Sequence, residues 1–360
     1  MNGIFKAKAS NCKDIGVTVR ICFFANMSAH ENWREMFDRV EFYRVDIRIL
    51  NELGHEVVLS GTPSTLDWKA DLYYCWWWGH APLPLLVGKL RRKPVVVTGA
   101  FDYSTCRNEI PGMCYLDRPL WQKVVLRTSL LLADRNLFIS KAEYSEVTEN
   151  LPVRNPVYAT LAINTDYYCP IAHPARQSDY FFTVTWTSRT NVIRKGLIPT
   201  IRAFARLAKS YPHVRLIVAG KPGDYLPQLK ALTQELKISE RVDFVGFISD
   251  EQKLHYYRSC IAYIQPTLHE GFGHAIGEAI ACGARVITSP SGAVPEVAGT
   301  FVDWVQPDNI AEIEEAMRNV INAPSAVKYV LARHRWIAEN YSIDSRKEAI
   351  KQVFESLHIN

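Results

Sequence analysis

Residues 17–24 (VTVRICFF) form a short run of β-branched and aromatic side chains, and such runs recur along the chain with helical patterns between them. This alternation is the strongest constraint on the fold. A strand apolar on both faces must be covered on both, and helices crossing between parallel strands supply the cover. Residues 40–53 predict a helix, with Val40, Tyr43, Ile47, Ile49, Leu50 and Leu53 largely on one side, Gly54 as its stop and a strand at 57–59 beyond. Further strands are expected at 71–77, 94–98 and 136–139, with helices near 83–90, 120–132 and 141–150. The stretch 169–178 (CPIAHPARQS), with two prolines and no periodicity, reads as a linker. A second series follows, with strands at 180–184, 215–219, 242–244, 261–265 and 285–288. Its helices are expected at 197–210, 225–236, 250–259, 274–282 and 310–323, and the chain ends in a helical segment at 347–357. The pattern predicts two doubly wound α/β domains, with ligands at strand carboxyl ends or in the cleft between the domains.

The 360 residues are 48% hydrophobic and 22% charged, enough to build two cores, which excludes global disorder. No run approaches the length of a membrane span. Residues 1–10 carry Lys6 and Lys8 without an apolar signal-peptide core, so a cytoplasmic protein is expected. A net charge of +5 is compatible with phosphate-bearing ligands or an anionic membrane surface. No nucleic-acid partner is expected. Cys12, Cys22, Cys75, Cys106, Cys114, Cys169, Cys260 and Cys282 form no C-x-x-C pair, so they read as reduced, mostly buried thiols.

The most informative stretch is 269–283, HEGFGHAIGEAIACG, between an apolar strand and a helix. Gly271 and Gly273 permit close approach of a ligand to the backbone. The helix start near Phe272, Gly273 and His274 offers free N–H groups and the positive end of its dipole, which suit a phosphate. Glu270 and Glu278 are too far apart to act on one atom, but they can bracket an extended ligand carrying diols. Solvated acids in an ordinary strand–loop–helix are the plainer alternative.

Glu270, seven residues, then Glu278-Ala279, with Ala281-Cys282-Gly283 beyond, closely resembles the signature of glycosyltransferase family 4. The segment 291–297 (SGAVPEV) resembles that family's S-x-x-G-x-P-E, and 245–250 (VGFISD), 265–267 (QPT), 53–57 (LGHEV) and 164–166 (NTD) also fit. The resemblance covers most of the chain and is strongest over about 180–303. It implies a GT-B fold, with an acceptor domain at 1–172, a nucleotide-sugar domain at 173–337 and a final helix, 338–360, returning to the first domain. It also implies a retaining glycosyltransferase that moves a hexose-type sugar from a nucleotide diphosphate sugar to a glycan or lipid-linked glycan. Surface polysaccharide or glycolipid assembly at the inner face of a membrane is the implied setting.

Within 189–196 (RTNVIRKG) the resemblance implies an Arg and a Lys clamping the donor diphosphate. Lys195 fits the Lys, and Arg189 is the choice for the Arg, with Arg194 as the alternative. Glu270 is assigned to the donor sugar and Glu278 to the ribose; Gly220, Lys221 and Phe247 stand where turns contact the base. Alone, those turns are only turns. No D-x-D occurs and His269 with His274 lack a third ligand, so neither metal nor cofactor is expected. Where the family carries a His after the fourth strand this chain reads 99–102, GAFD; Asp102 either orients a sugar hydroxyl or caps a turn. Gly-Gly is also missing from the loop after the first strand. Trp76, Trp77 and Trp78 can stack on sugars, but at least one belongs to the core. Lys89, Arg91, Arg92 and Lys93 are either a solvated helix end or a contact for anionic lipid. The rival functions are a catalytically inactive nucleotide-binding subunit and a sugar-nucleotide epimerase of the same architecture.

Overall fold

The computed structural model describes residues 18–171, 179–323 and 327–359. Residues 1–10, Cys12, the start of the strand expected at 17–24 and most of the expected linker lie outside the described residues.

The first domain runs β1 (Arg20–Phe24), α1 (Trp33–Arg39), α2 (Glu41–Glu52), β2 (Glu56–Ser60), β3 (Leu72–Trp76), α3 (Pro82–Arg91), β4 (Val95–Gly99), α4 (Leu120–Leu132), β5 (Arg135–Phe138), α5 (Lys141–Asn150) and β6 (Pro156–Tyr158). The second runs β7 (Tyr180–Val184), α6 (Arg189–Arg194), α7 (Leu197–Leu207), β8 (Arg215–Ala219), α8 (Leu226–Glu235), β9 (Val242–Gly246), α9 (Asp250–Ser259), β10 (Tyr263–Gln265), α10 (His274–Ala281), β11 (Val286–Thr288), α11 (Val294–Ala298), β12 (Asp303–Trp304) and α12 (Ile310–Asn322). Two closing helices follow, α13 (Val327–Asn340) and α14 (Ile343–Glu355).

Each domain holds a six-stranded sheet, in the orders β2-β1-β3-β4-β5-β6 and β12-β11-β10-β7-β8-β9. Neighbouring strands are parallel, as the two-sided apolar runs require. Strand order reverses beside β1 in the first sheet and between β7 and β10 in the second, and ligands in such sheets bind outside strand carboxyl ends at these reversals. β3 and β4 are buried along their whole length. Trp76 and Trp78 are core residues; Trp77 between them turns the chain with a left-handed φ of 74° and donates from Nε1 to Tyr43 Oη at 2.7 Å.

The sequence reading missed the helices α1, α11 and the fourteen-residue α13, as well as β6, β12 and α6. β6 begins with a proline and β12 has two residues, so neither carries a countable alternation. α6 falls within 189–196, where no helix was expected.

One apolar cluster runs from Phe23 and Tyr74 in the first domain through Ile163 and Tyr168 to Phe272 and Ile276 in the second. Ile163 reaches α10 where Gly277 leaves room; a Cβ there would stand 2.2 Å from Ile163 Cδ1. α14 returns to the first domain. Its wholly buried Arg346 pairs with Asp46 of α2 at 2.5 and 2.7 Å and donates to the carbonyls of Ala159 and Thr160, each at 2.8 Å. Glu296 of α11 meets the start of α5, accepting from the Lys141 N–H at 2.9 and 3.0 Å, where a helix terminus favours an anion.

Candidate functional site

The carboxyl ends of β7 and β10 bring together two stretches seventy residues apart in sequence. After β7 the chain forms α6 and reaches Arg194, Lys195 and Gly196. After β10 it passes Gln265 to Glu270 and enters α10. Gly196 makes the approach possible: its φ is +66° and a Cβ would lie 2.0 Å from the Pro266 carbonyl oxygen.

Glu270 is buried at the centre. Its Oε1 lies 3.0 Å from Arg194 Nη1 and 3.9 Å from Lys195 Nζ, and accepts from Gln265 Nε2 at 2.8 Å. Among the described residues Oε2 takes no hydrogen bond, which leaves it for a ligand. Burial pushes the Glu270 carboxyl up, but Arg194 and Lys195 more than offset this and hold it below the ordinary carboxylate range. Lys195 donates to the Val184 carbonyl and to Gln265 Oε1, both at 3.3 Å. Burial lowers the affinity of its amine for a proton, and Glu270 partly restores it. Gln265 thus organises the cluster: its carbonyl oxygen takes Lys195 and Tyr263 Oη (2.6 Å), and its amide nitrogen serves Glu270.

Glu278 is buried a turn inside α10. Lys253 Nζ donates to its Oε1 at 3.0 Å and Tyr257 Oη to its Oε2 at 3.0 Å. Burial raises its pKa, but Lys253 and His274 outweigh burial and hold it at about 2. Lys253 also lies 3.4 Å from Asp250, whose other oxygen is 3.6 Å from Arg44 of α2. Glu278 is therefore linked by charge to the first domain, beside a cavity of about 380 Å³ lined in part by Arg44, Tyr168 and Asp250.

α10 has Gly273 as its N-cap and no side-chain cap among the described residues, so its first N–H groups lack a side-chain acceptor. Among the described residues both His274 ring nitrogens are buried without a hydrogen-bond partner, and Nδ1 lies 3.8 Å from Glu278 Oε1. Phe272 contributes backbone only; its side chain is core, packed on Tyr341 with ring centroids 5.8 Å apart. The first domain touches this loop directly, because a Cβ on Gly271 would stand 2.9 Å from that of Ala100.

Other expected residues are placed differently. The Arg189 side chain is exposed at the start of α6, and its backbone N–H donates to Asp224 at 3.0 Å; Arg194, the alternative, is the arginine beside Glu270. Asp102 lies in the loop after β4, but its two oxygens accept from the backbone of Thr105 and Cys106, each at 2.8 Å, which is the geometry of a turn cap. Gly220 packs against the Thr185 carbonyl, where a Cβ would come within 2.1 Å. Lys221 Nζ stands 5.8 Å above the exposed Trp186 ring, and Phe247 is 80% exposed on the next loop. Trp186, Lys253 and Tyr257 were not singled out from sequence, and Gln265 entered only as part of the QPT match. Trp186 had a usable signal, an aromatic directly after a strand. Among the described residues no three His, Cys, Asp or Glu side chains converge to hold a metal ion. The seven cysteines described are free, six of them buried.

Two facing Rossmann-like domains define a GT-B architecture. A solved Anabaena structure, Alr3699/HepE in complex with UDP and glucose, superposes with a TM-score of 0.73 at 15% identity, covering 94% of this chain and 100% of that one. Residues 187–342, which hold the charged cluster, match the family of glycosyl transferases group 1. The chain is 26% identical over 313 residues to the GDP-mannose-dependent alpha-(1-6)-phosphatidylinositol monomannoside mannosyltransferase of Mycolicibacterium smegmatis, covering 81% of this chain and 78% of that protein. It is 25% identical over 185 residues to the phosphatidylinositol N-acetylglucosaminyltransferase gpi3 subunit of Schizosaccharomyces pombe, covering 51% of this chain. The chain spans only 40% of that relative's length.

Proposed function

We propose that the chain is a glycosyltransferase that moves a hexose-type sugar from a nucleotide diphosphate sugar to a hydroxyl of a glycan or lipid-linked glycan, retaining configuration and without a metal. The observation that carries this reading is the cluster of Glu270, Arg194 and Lys195 beside the uncapped start of α10. Two partly buried cations and a helix N-terminus suit a departing diphosphate. Glu270 Oε2 faces donor-sugar hydroxyls. Glu278 binds the ribose diol, and Trp186 and Phe247 flank the base. The acceptor oxygen bonds to the anomeric carbon as the carbon–phosphate oxygen bond breaks on the same face. The hydroxyl proton passes to the departing phosphate oxygen, so no enzyme nucleophile is required. Similarity to a protein solved with UDP and glucose, and to one named as GDP-mannose-dependent, supports a nucleotide-sugar donor without choosing its base. Assembly of surface glycan or glycolipid at the cytoplasmic face of a membrane belongs to the same proposal.

A second reading is an inactive nucleotide-binding subunit. It is favoured by Asp102 being committed to its own turn in a loop that lacks the family's His. Nucleotide release from a panel of UDP-, GDP- and ADP-sugars, with chelator present, separates the two. The proposal expects release from one donor, lost in Glu270→Ala; tight nucleotide binding without release, even with candidate acceptors, would support the second reading.

A further inference from the structure

α3 and α4 cover one face of the first sheet, and each leaves an apolar stripe outward. On α4 the stripe includes Leu120 (77% exposed), Trp121 (65%), Val124 and Leu131; on α3 it includes Leu86 and Leu90 (72%). Scattered exposed apolar residues need no explanation, but two packed helices presenting such stripes side by side do. The charge around them is one-sided. Residues 82–93 and 118–133 carry seven Lys and Arg and no Asp or Glu. Lys89 and Lys93 are answered by Asp134 and Asp71 from outside these segments. Among the described residues, the exposed Arg92 and Arg127 have no carboxylate within ion-pair distance. The loop that precedes α4, residues 100–119, leaves β4 at Ala100, which meets Gly271 of the second domain.

From this placement we propose that the outer face of α3 and α4 docks on an anionic lipid surface. Trp121, Leu120, Val124 and Leu86 enter the headgroup boundary, and Arg92 and Arg127 meet lipid phosphates. The inference rests on the proposed function for its purpose, which is to bring the cleft to a lipid-linked acceptor. Its physical content is separate: no helix among the described residues is long and apolar enough to cross a membrane, so this face lies on the bilayer.

The test is vesicle co-sedimentation of the full chain. Phosphatidylcholine vesicles are compared with vesicles containing phosphatidylglycerol, at low and at 0.5 M salt. Two cations at the surface predict roughly thirtyfold stronger partitioning onto the anionic vesicles at low salt. Salt should erase most of that gain, and Leu120→Glu/Trp121→Glu should abolish binding. Leu331→Glu, on the exposed side of α13, should leave binding unchanged. Equal binding to both vesicle types, or undiminished binding by the double variant, overturns the proposal. So does a dimer in solution that the double variant dissociates while vesicle binding persists. Nucleotide release without vesicles is measured in parallel. Its loss in the wild type would count against the proposed function, and a failure of docking alone would not.

Discussion

Gly271 offers a sharp test of how the two domains work together. A Cβ at this position would stand 2.9 Å from the Ala100 Cβ, about 0.6–1.1 Å inside an ordinary carbon–carbon contact. No left-handed φ is involved, so the penalty of Gly271→Ala is one of space. It falls where the loop before α10 meets the first domain. Overpacking of this kind costs about 1–3 kcal/mol, so roughly tenfold or more should be lost from donor affinity or from kcat/KM. Ala100→Gly removes the opposing methyl. The pair Gly271→Ala/Ala100→Gly should recover most of the loss, giving an interaction energy of about 1–2 kcal/mol in a double-mutant cycle. The assay is donor binding by calorimetry on all four proteins, with thermal melts to confirm folding. Strictly additive effects would show that the two domains do not press together at this point during binding, and the reasoning would fail.

Three further outcomes follow from the geometry. Arg194→Ala should cut transfer by about a hundredfold, whereas Arg189→Ala, on an exposed side chain, should leave it near wild type; steady-state kinetics of both decides between the two arginines. Arg346→Met leaves Asp46 buried and uncompensated, so chemical denaturation should register a loss of about 3–5 kcal/mol. Glu278, held at about 2 in the folded chain, contributes stability that is present above its ordinary value of 4.5 and lost as pH falls through 2. That contribution is about 3 kcal/mol, and acid unfolding should lose part of its steepness between those values in Glu278→Gln.

Much of the scaffold was legible because the strands are short unbroken apolar runs. The strands at 180–184 and 215–219 and the helices at 141–150 and 250–259 fall where expected, the last two with Ser140 and Ser249 as N-caps. Glu270 and Glu278 were singled out by the glycines beside them and the family resemblance, and the structure buries both. Arg194 over Arg189 was not, because a six-residue helix decides which arginine faces inward, and nothing in RTNVIRKG announces that helix. Lys253 and Tyr257 were hidden for another reason. They stand on α9, and only the packing of α9 beside α10 brings them to Glu278. Asp102 shows the converse case. Its residue type fits both a sugar contact and a turn cap, and only the position of the Thr105 and Cys106 N–H groups separates them.

The central claim is that Glu270, Arg194 and Lys195 hold a nucleotide diphosphate sugar between the domains. Isothermal titration of the purified chain with UDP-, GDP- and ADP-sugars, with chelator present, tests it most directly when Glu270→Ala and Lys195→Ala are run beside the wild type. The account predicts saturable binding of one donor, at least tenfold weaker in Lys195→Ala, with release of the free nucleoside diphosphate lost in Glu270→Ala. Unchanged binding and release in both folded variants would contradict it.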